Sequence, residues 1–169
     1  WMKRAAAYSA EETQRDALGL AGMLRMLNDM KKPTVARVQG PAYGGGVGLV
    51  AACDIAIAAF DAQFALTEVK LGIIPAVISP YVIAAIGERK ARRYMLTAER
   101  FSAAEAYRVG LVHEIVPGEA ELDEAVGETP RDARCREVVR AEVGQAAGAD
   151  ADDLPSRLPQ QPVLAAVDL

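Results

Sequence analysis

Two stretches of this sequence carry residue types that do chemistry. The first is Gly40-Pro41-Ala42-Tyr43-Gly44-Gly45-Gly46, which runs straight into the apolar Val47–Cys53 segment. Successive glycines before a helix let a ligand approach the backbone, and they leave unpaired N–H groups at the positive helix end. Such a place can hold an anion or a developing oxyanion. The same residues also suit a tight strand-to-helix turn packed on a neighbour. They are not a Walker A loop, which needs Gly-Lys-Ser/Thr, nor a good dinucleotide fingerprint. The second stretch centres on Glu68, between apolar Leu66 and Val69. A carboxylate against an apolar wall has its pKa raised by desolvation, which suits a general acid or base. The alternative is an ordinary solvent-facing glutamate at a strand end.

Other candidates have plainer roles. His113 lies among Leu111, Val112 and Ile115, with no partner in view, and reads as a packed or surface histidine. Asp54 is expected to pin the end of the buried helix, and Cys53 to fill a small core site. Arg89, Lys90, Arg92 and Arg93 form a basic helix face that is solvated or draws a phosphate-bearing ligand. Cys53 and Cys135 lack metal-site spacing and suggest no disulfide framework.

These residues need elements to place them. Ser9-Ala-Glu-Glu12 is a capping box opening a helix to about Met30, with an apolar stripe of Leu20, Met23, Leu24, Leu27 and Met30. Lys31-Lys32-Pro33 stops it. Thr34–Val38 reads as a strand, Val47–Cys53 as a buried helix, and Ile55–Ala59 as a strand covered on both faces. Gln63–Leu66 is a short strand leading into Glu68. Helices are expected over 76–86 and 88–96. A second capping box at Ser102–Glu105 opens a helix that Gly110 ends. Leu111–Val116 reads as a strand and Glu119–Val126 as a helix. Strands alternating with helices predict an α/β architecture.

The 169 residues suit one domain with a proper core. With 51% hydrophobic and 25% charged residues the chain has a globular balance. A net charge of −4 argues against a general nucleic-acid binder. No apolar run approaches the roughly 18 residues of a spanning helix, so no membrane role is expected and a cytoplasmic setting is. The composition shifts late. All nine aromatic residues lie at or before Tyr107, and Glu128 to Leu169 carries Pro130, Pro155, Pro159 and Pro162 with no clear apolar stripe. The expected division is a domain over 1–127 and a divergent, disordered or frame-shifted tail over 128–169.

Taken together, these residues resemble the crotonase superfamily, the enoyl-CoA hydratase/isomerase family. The resemblance rests on four motifs in order. They are Pro33 to Gly46, Cys53 to Ala58, Gln63 to Pro75, and Leu96 to Ala106 with Gly110-Leu111-Val112. It implies a crotonase-like (ββα spiral) core. It implies an acyl-CoA thioester as substrate, with coenzyme A as part of that substrate and no further cofactor or metal. Gly45 is then a backbone N–H donor to the thioester oxygen and Glu68 the catalytic acid/base. Tyr43, Gly44, Gly48 and Pro75 line the substrate. The Ile74–Val82 segment looks most like methylglutaconyl-CoA and isohexenylglutaconyl-CoA hydratases, which serve leucine and acyclic-terpene breakdown. A homotrimer or hexamer is implied for the whole fold.

The sequence departs from that pattern in four places. Gly48 stands where the family's first catalytic glutamate is expected, which leaves one carboxylate and makes double-bond isomerisation the alternative to hydration. The glycine-rich run after Ile74-Pro75 is replaced by Ala76-Val77-Ile78-Ser79-Pro80. The first oxyanion donor and early strands are expected upstream of Trp1, so N-terminal strands are expected to be missing here; losing one such donor costs about 10²–10³ in rate. The assembling C-terminal helices are not recognisable. A third alternative is therefore an inactive fragment that acts only by association with other subunits.

Overall fold

A computed structural model describes residues 9–128 and the strand Val139–Val143. Ser9 caps helix α1 (Ala10–Asn28), with its hydroxyl accepting from Glu12 N–H and Glu12 reaching back to Ser9 N–H at 2.7 Å. The box holds Glu12 below the usual carboxylate range through those bonds to Ser9. Leu24 is buried, and Leu20 and Leu27 pack beside it. Met23, expected in the stripe, is instead 46% exposed, because 20, 24 and 27 share one helical face and 23 turns off it.

Strands β1 (Thr34–Val38), β3 (Ile55–Ala59), β6 (Glu114–Val116) and β7 (Val139–Val143) form one sheet, in the order β6-β3-β1-β7, with every pair parallel. All five β1 residues are buried, as a parallel strand covered on both faces requires. Ala36 and Val38 face the larger core, with Leu24, Val50 and Phe64. Val35 faces a smaller cluster with Ile57, Val116, Leu122 and Val126. Leu122 and Val126 come from helix α6 (Glu119–Glu128), which covers that face. Arg37 shares the face of Val35 and is only 5% exposed. It donates to Asp123 at 2.8 Å, to Glu119 at 3.3 Å and to Gln39. Those bonds hold its pKa above the ordinary value. They tie α6 to the sheet while the two carboxylates remain largely in water.

Strand β7 lies in the segment read as a divergent, disordered or frame-shifted tail. Its backbone extends β1 in register, Thr34 opposite Val139 through Val38 opposite Val143. The other residues of the expected tail, and Cys135, lie outside the described residues.

A second, smaller sheet carries the site. β2 (Ala42–Tyr43) pairs parallel with β4 (Gln63–Ala65), and β4 pairs antiparallel with β5 (Phe101–Ser102). Between β2 and β3 lies helix α2 (Gly45–Ala52), buried at Val47, Gly48, Val50 and Ala52. Asp54 pins β1 and not the helix end: its carboxylate accepts from the backbone N–H and hydroxyl of Thr34, both at 2.8 Å. Cys53 is half-buried, and burial pushes its thiol up to about 11.

The later helices differ from expectation at their starts. α3 runs Ser79–Ile86, so residues 76–78 are not helical. Pro80 belongs in a first helical turn, where its missing N–H costs nothing, and its ring disfavours an earlier start. α4 (Glu88–Thr97) and α5 (Ala103–Val109) follow as read. Ser102 caps α5 through Glu105 N–H, but Glu105 does not close the box. Its carboxylate binds Tyr94 and Arg108 instead. Gly110 ends α5 at φ +96°. The N–H groups of Gly110, Leu111 and Val112 all return to Ala106 O, so β6 begins only at Glu114. His113 accepts from Ala56 N–H through Nδ1 at 3.0 Å and donates its own backbone N–H to Ala56 O. It stitches β6 to β3. On the basic face of α4, Arg93 pairs with Glu99 and Lys90 donates to Val109 O.

Candidate active site

The two chemically suggestive stretches meet. Gly44 N–H donates to Ala65 O at 2.9 Å, continuing the β2–β4 ladder by one rung. The chain then leaves β4 through buried Leu66 and Thr67, so Glu68 comes to rest over Gly44. A β-carbon placed on Gly44 would lie 3.2 Å from Glu68 Oε1 and 3.6 Å from Thr67 Oγ1. Gly44 has φ +52° and ψ −116°, the conformation that a II′ turn demands of its first central residue. Glycine is needed here twice over, for the backbone and for the close carboxylate.

That turn also opens α2. The N–H groups of Val47 and Gly48 return to Gly44 O, at 2.9 and 3.3 Å. The N–H groups of Gly45 and Gly46 have no backbone acceptor among the described residues. They are free donors at the positive end of a helix, which can hold developing negative charge.

Glu68 opens a single 3₁₀ turn (Glu68–Leu71), which Gly72 ends at φ +72°. Its carbonyl accepts from Ile73 N–H at 3.2 Å. The carboxylate is half-buried. Oε2 is fully buried without a partner, the one such side-chain oxygen among the described residues. Burial raises its pKa above the ordinary carboxylate value, against a smaller opposing effect of its own backbone N–H. A buried carboxylate oxygen without a partner is costly to keep. The solvent-facing alternative does not describe it.

The remaining site residues fall into three positions. Tyr43, half-buried on β2, holds its ring 5.6 Å below the Arg100 guanidinium. Pro75 lies in the irregular 73–78 connection, its carbonyl accepting from Ser79 N–H. Gly48 is buried within α2. A β-carbon there would overlap Ile78 Cγ2 and lie 2.8 Å from Ile78 Cβ. Ile78, 2% exposed, fills the space that a side chain at 48 would need. Sequence reading marked the 76–80 replacement but not this contact. The available signal was a glycine inside a buried helix, where it weakens the helix unless something approaches closely.

Replacing Gly44 with Ala should therefore cost about 1–3 kcal/mol of backbone strain. It should also push the Glu68 carboxylate aside. Chemical denaturation and an activity assay of the one variant would show both losses together.

The model of the enoyl-CoA hydratase/isomerase family matches residues 3–145. An enoyl-CoA hydratase structure from Shewanella pealeana superimposes with a TM-score of 0.71 at 46% identity, covering 79% of this chain and 51% of that one. The enoyl-CoA hydratase ACTT6 of Alternaria alternata is 34% identical over 124 residues, 73% of this chain and 42% of its own length. A peroxisomal Delta(3,5)-Delta(2,4)-dienoyl-CoA isomerase of Arabidopsis thaliana is 34% identical over 119 residues, 70% of this chain and 43% of its own. With its crotonase-like α/β fold and the glycine turn under one carboxylate, this chain belongs to the enoyl-CoA hydratase/isomerase family. It spans about half the length of the proteins it matches.

Proposed function

We propose that the whole protein acts on an enoyl-CoA thioester. Gly45 N–H holds the thioester oxygen, and Glu68 moves a proton at the acyl chain. The observation that carries this is the Glu68 carboxylate, over Gly44 with Oε2 buried and unpartnered. When charge passes from the acyl carbon to the thioester oxygen, the free N–H at the α2 end meets it. A carboxyl of raised pKa is then a stronger base when ionised and a ready acid when protonated.

The reading placed first is hydration of a methylglutaconyl-CoA-like substrate, in leucine catabolism. Sequence similarity to relatives named as hydratases supports the reaction, and the Ile74–Val82 resemblance supports the acyl group. Coenzyme A belongs to the substrate, and no other cofactor is proposed. A homotrimer or hexamer and a cytoplasmic setting are part of the same proposal. Among the described residues no helix is long and apolar enough to cross a membrane.

Double-bond isomerisation is the second reading, favoured by Ile78 over Gly48. It needs one base and no water. Association without turnover is a third, favoured by exposed apolar side chains on α1 such as Met26, 72% exposed. Product analysis separates them. Hydration yields a 3-hydroxyacyl-CoA, isomerisation yields the shifted alkene, and neither product leaves only association.

A further inference from the structure

We infer that Ile78 is a specificity-determining residue, because its side chain occupies the notch at Gly48 and makes the wall behind the glycine turn apolar and closed. The inference rests on the enoyl-CoA reading of the same site and deepens it. Gly48 lies one helical turn beyond Gly44, to whose carbonyl it donates. Gly44 in turn lies under Glu68. The carboxylate, the glycine turn and the Ile78 methyls are thus three consecutive layers of one wall. Leu24 completes the last layer, 3.6 Å from the place of a β-carbon on Gly48. Ile78 closes the connection that starts at Glu68 and runs through Ile73 and Pro75. The seat at Gly48 therefore fixes both ends of that connection.

The chemical consequence concerns water. Hydration forms a bond from water oxygen to C3, breaks the C2=C3 π bond, and places one proton on C2. One water proton leaves to a base, which balances the proton given to C2, and the other stays on the C3 hydroxyl. Isomerisation of a 3-enoyl thioester breaks C2–H, moves the double bond from C3=C4 to C2=C3, and returns the proton at C4. It gains and loses no atoms. One carboxylate can serve the second reaction alone. The first also needs a held water, and the Ile78 methyls deny it a polar partner along the α2 wall. Ile78 therefore tilts the site toward proton transfer without water.

The test uses the whole protein with two probes, a 2-enoyl-CoA for hydration and a 3-enoyl-CoA for isomerisation. The readout is the ratio of the two kcat/KM values. Ile78→Ala should raise the hydration-to-isomerisation ratio about tenfold or more, the scale on which an apolar pocket answers to a methyl-sized change in fit, because the volume vacated beside Gly48 can take a water. An unchanged or lowered ratio overturns the inference. A second measurement reads the interlock without activity. Gly48→Ala should lower Tm, and adding Ile78→Ala to it should recover part of the loss. Equal Tm for Gly48→Ala and the parent overturns the interlock. If neither probe turns over, the enoyl-CoA reading itself falls, and the water argument falls with it. The Tm cycle then still decides the seat.

Discussion

Glu68→Gln should lower kcat on an enoyl-CoA by about 10²–10⁴, the usual worth of a positioned acid/base. Gln keeps the size and the polar contacts of the side chain but cannot exchange a proton. The pH profile should change with it. In the parent, the basic form of Glu68 accumulates as pH rises through a value above the ordinary 4.5. Activity that needs this base should therefore climb above that ordinary value, and the limb should vanish in the variant. Stability should move the other way. A carboxyl whose folded pKa is raised favours the fold when protonated. That contribution is present below the unfolded pKa and is lost as pH rises through the folded one. Gln has no proton to lose, so the variant should be at least as stable as the parent at neutral pH. Loss of activity joined to unchanged or higher Tm is the signature of a working carboxylate, not a structural one.

Phe64→Ala should have the largest effect on folding. Phe64 is fully buried on β4, its ring 5.6 Å from that of Phe101, which lies 4.2 Å from Tyr94. This stack joins the small sheet to α4. Removing a buried Phe leaves a cavity and costs about 3–5 kcal/mol, a large part of a domain's stability. Tm should fall on the order of 10 °C. Because β4 delivers Glu68 to Gly44, activity should be lost at temperatures below the new midpoint. Urea denaturation followed by circular dichroism, beside an activity–temperature profile, checks both.

Much of this site is legible in the residues, and the reasons are local. Three glycines after Pro41 announce a backbone no other residue adopts, and Gly44 at φ +52° shows why. The strands over 34–38 and 55–59 announce themselves by apolar runs too short for helices. The environment of Glu68 was only half legible. Apolar neighbours suggest burial, but whether a strand-end glutamate faces water depends on the β2–β4 register, which pairs residues over twenty apart in sequence. Ile78 was illegible for the same reason. Nothing near it in sequence mentions Gly48, thirty positions earlier. The strand over 34–38 is legible, but not what its Arg37 would meet, because only α6 supplies its carboxylates. Strand β7 was missed because a polar-flanked run of five residues shows its pairing only beside β1.

The most direct test of the central claim is exchange of the C2 hydrogens of a 3-enoyl-CoA into deuterium oxide, followed by NMR. It reads the proton step alone, whatever product forms afterwards. The site described here predicts exchange in the parent protein and a drop of about 10² or more in Glu68→Gln. Equal exchange in both proteins, or none in the parent, would contradict the assignment of Glu68 as the carboxylate that moves the proton.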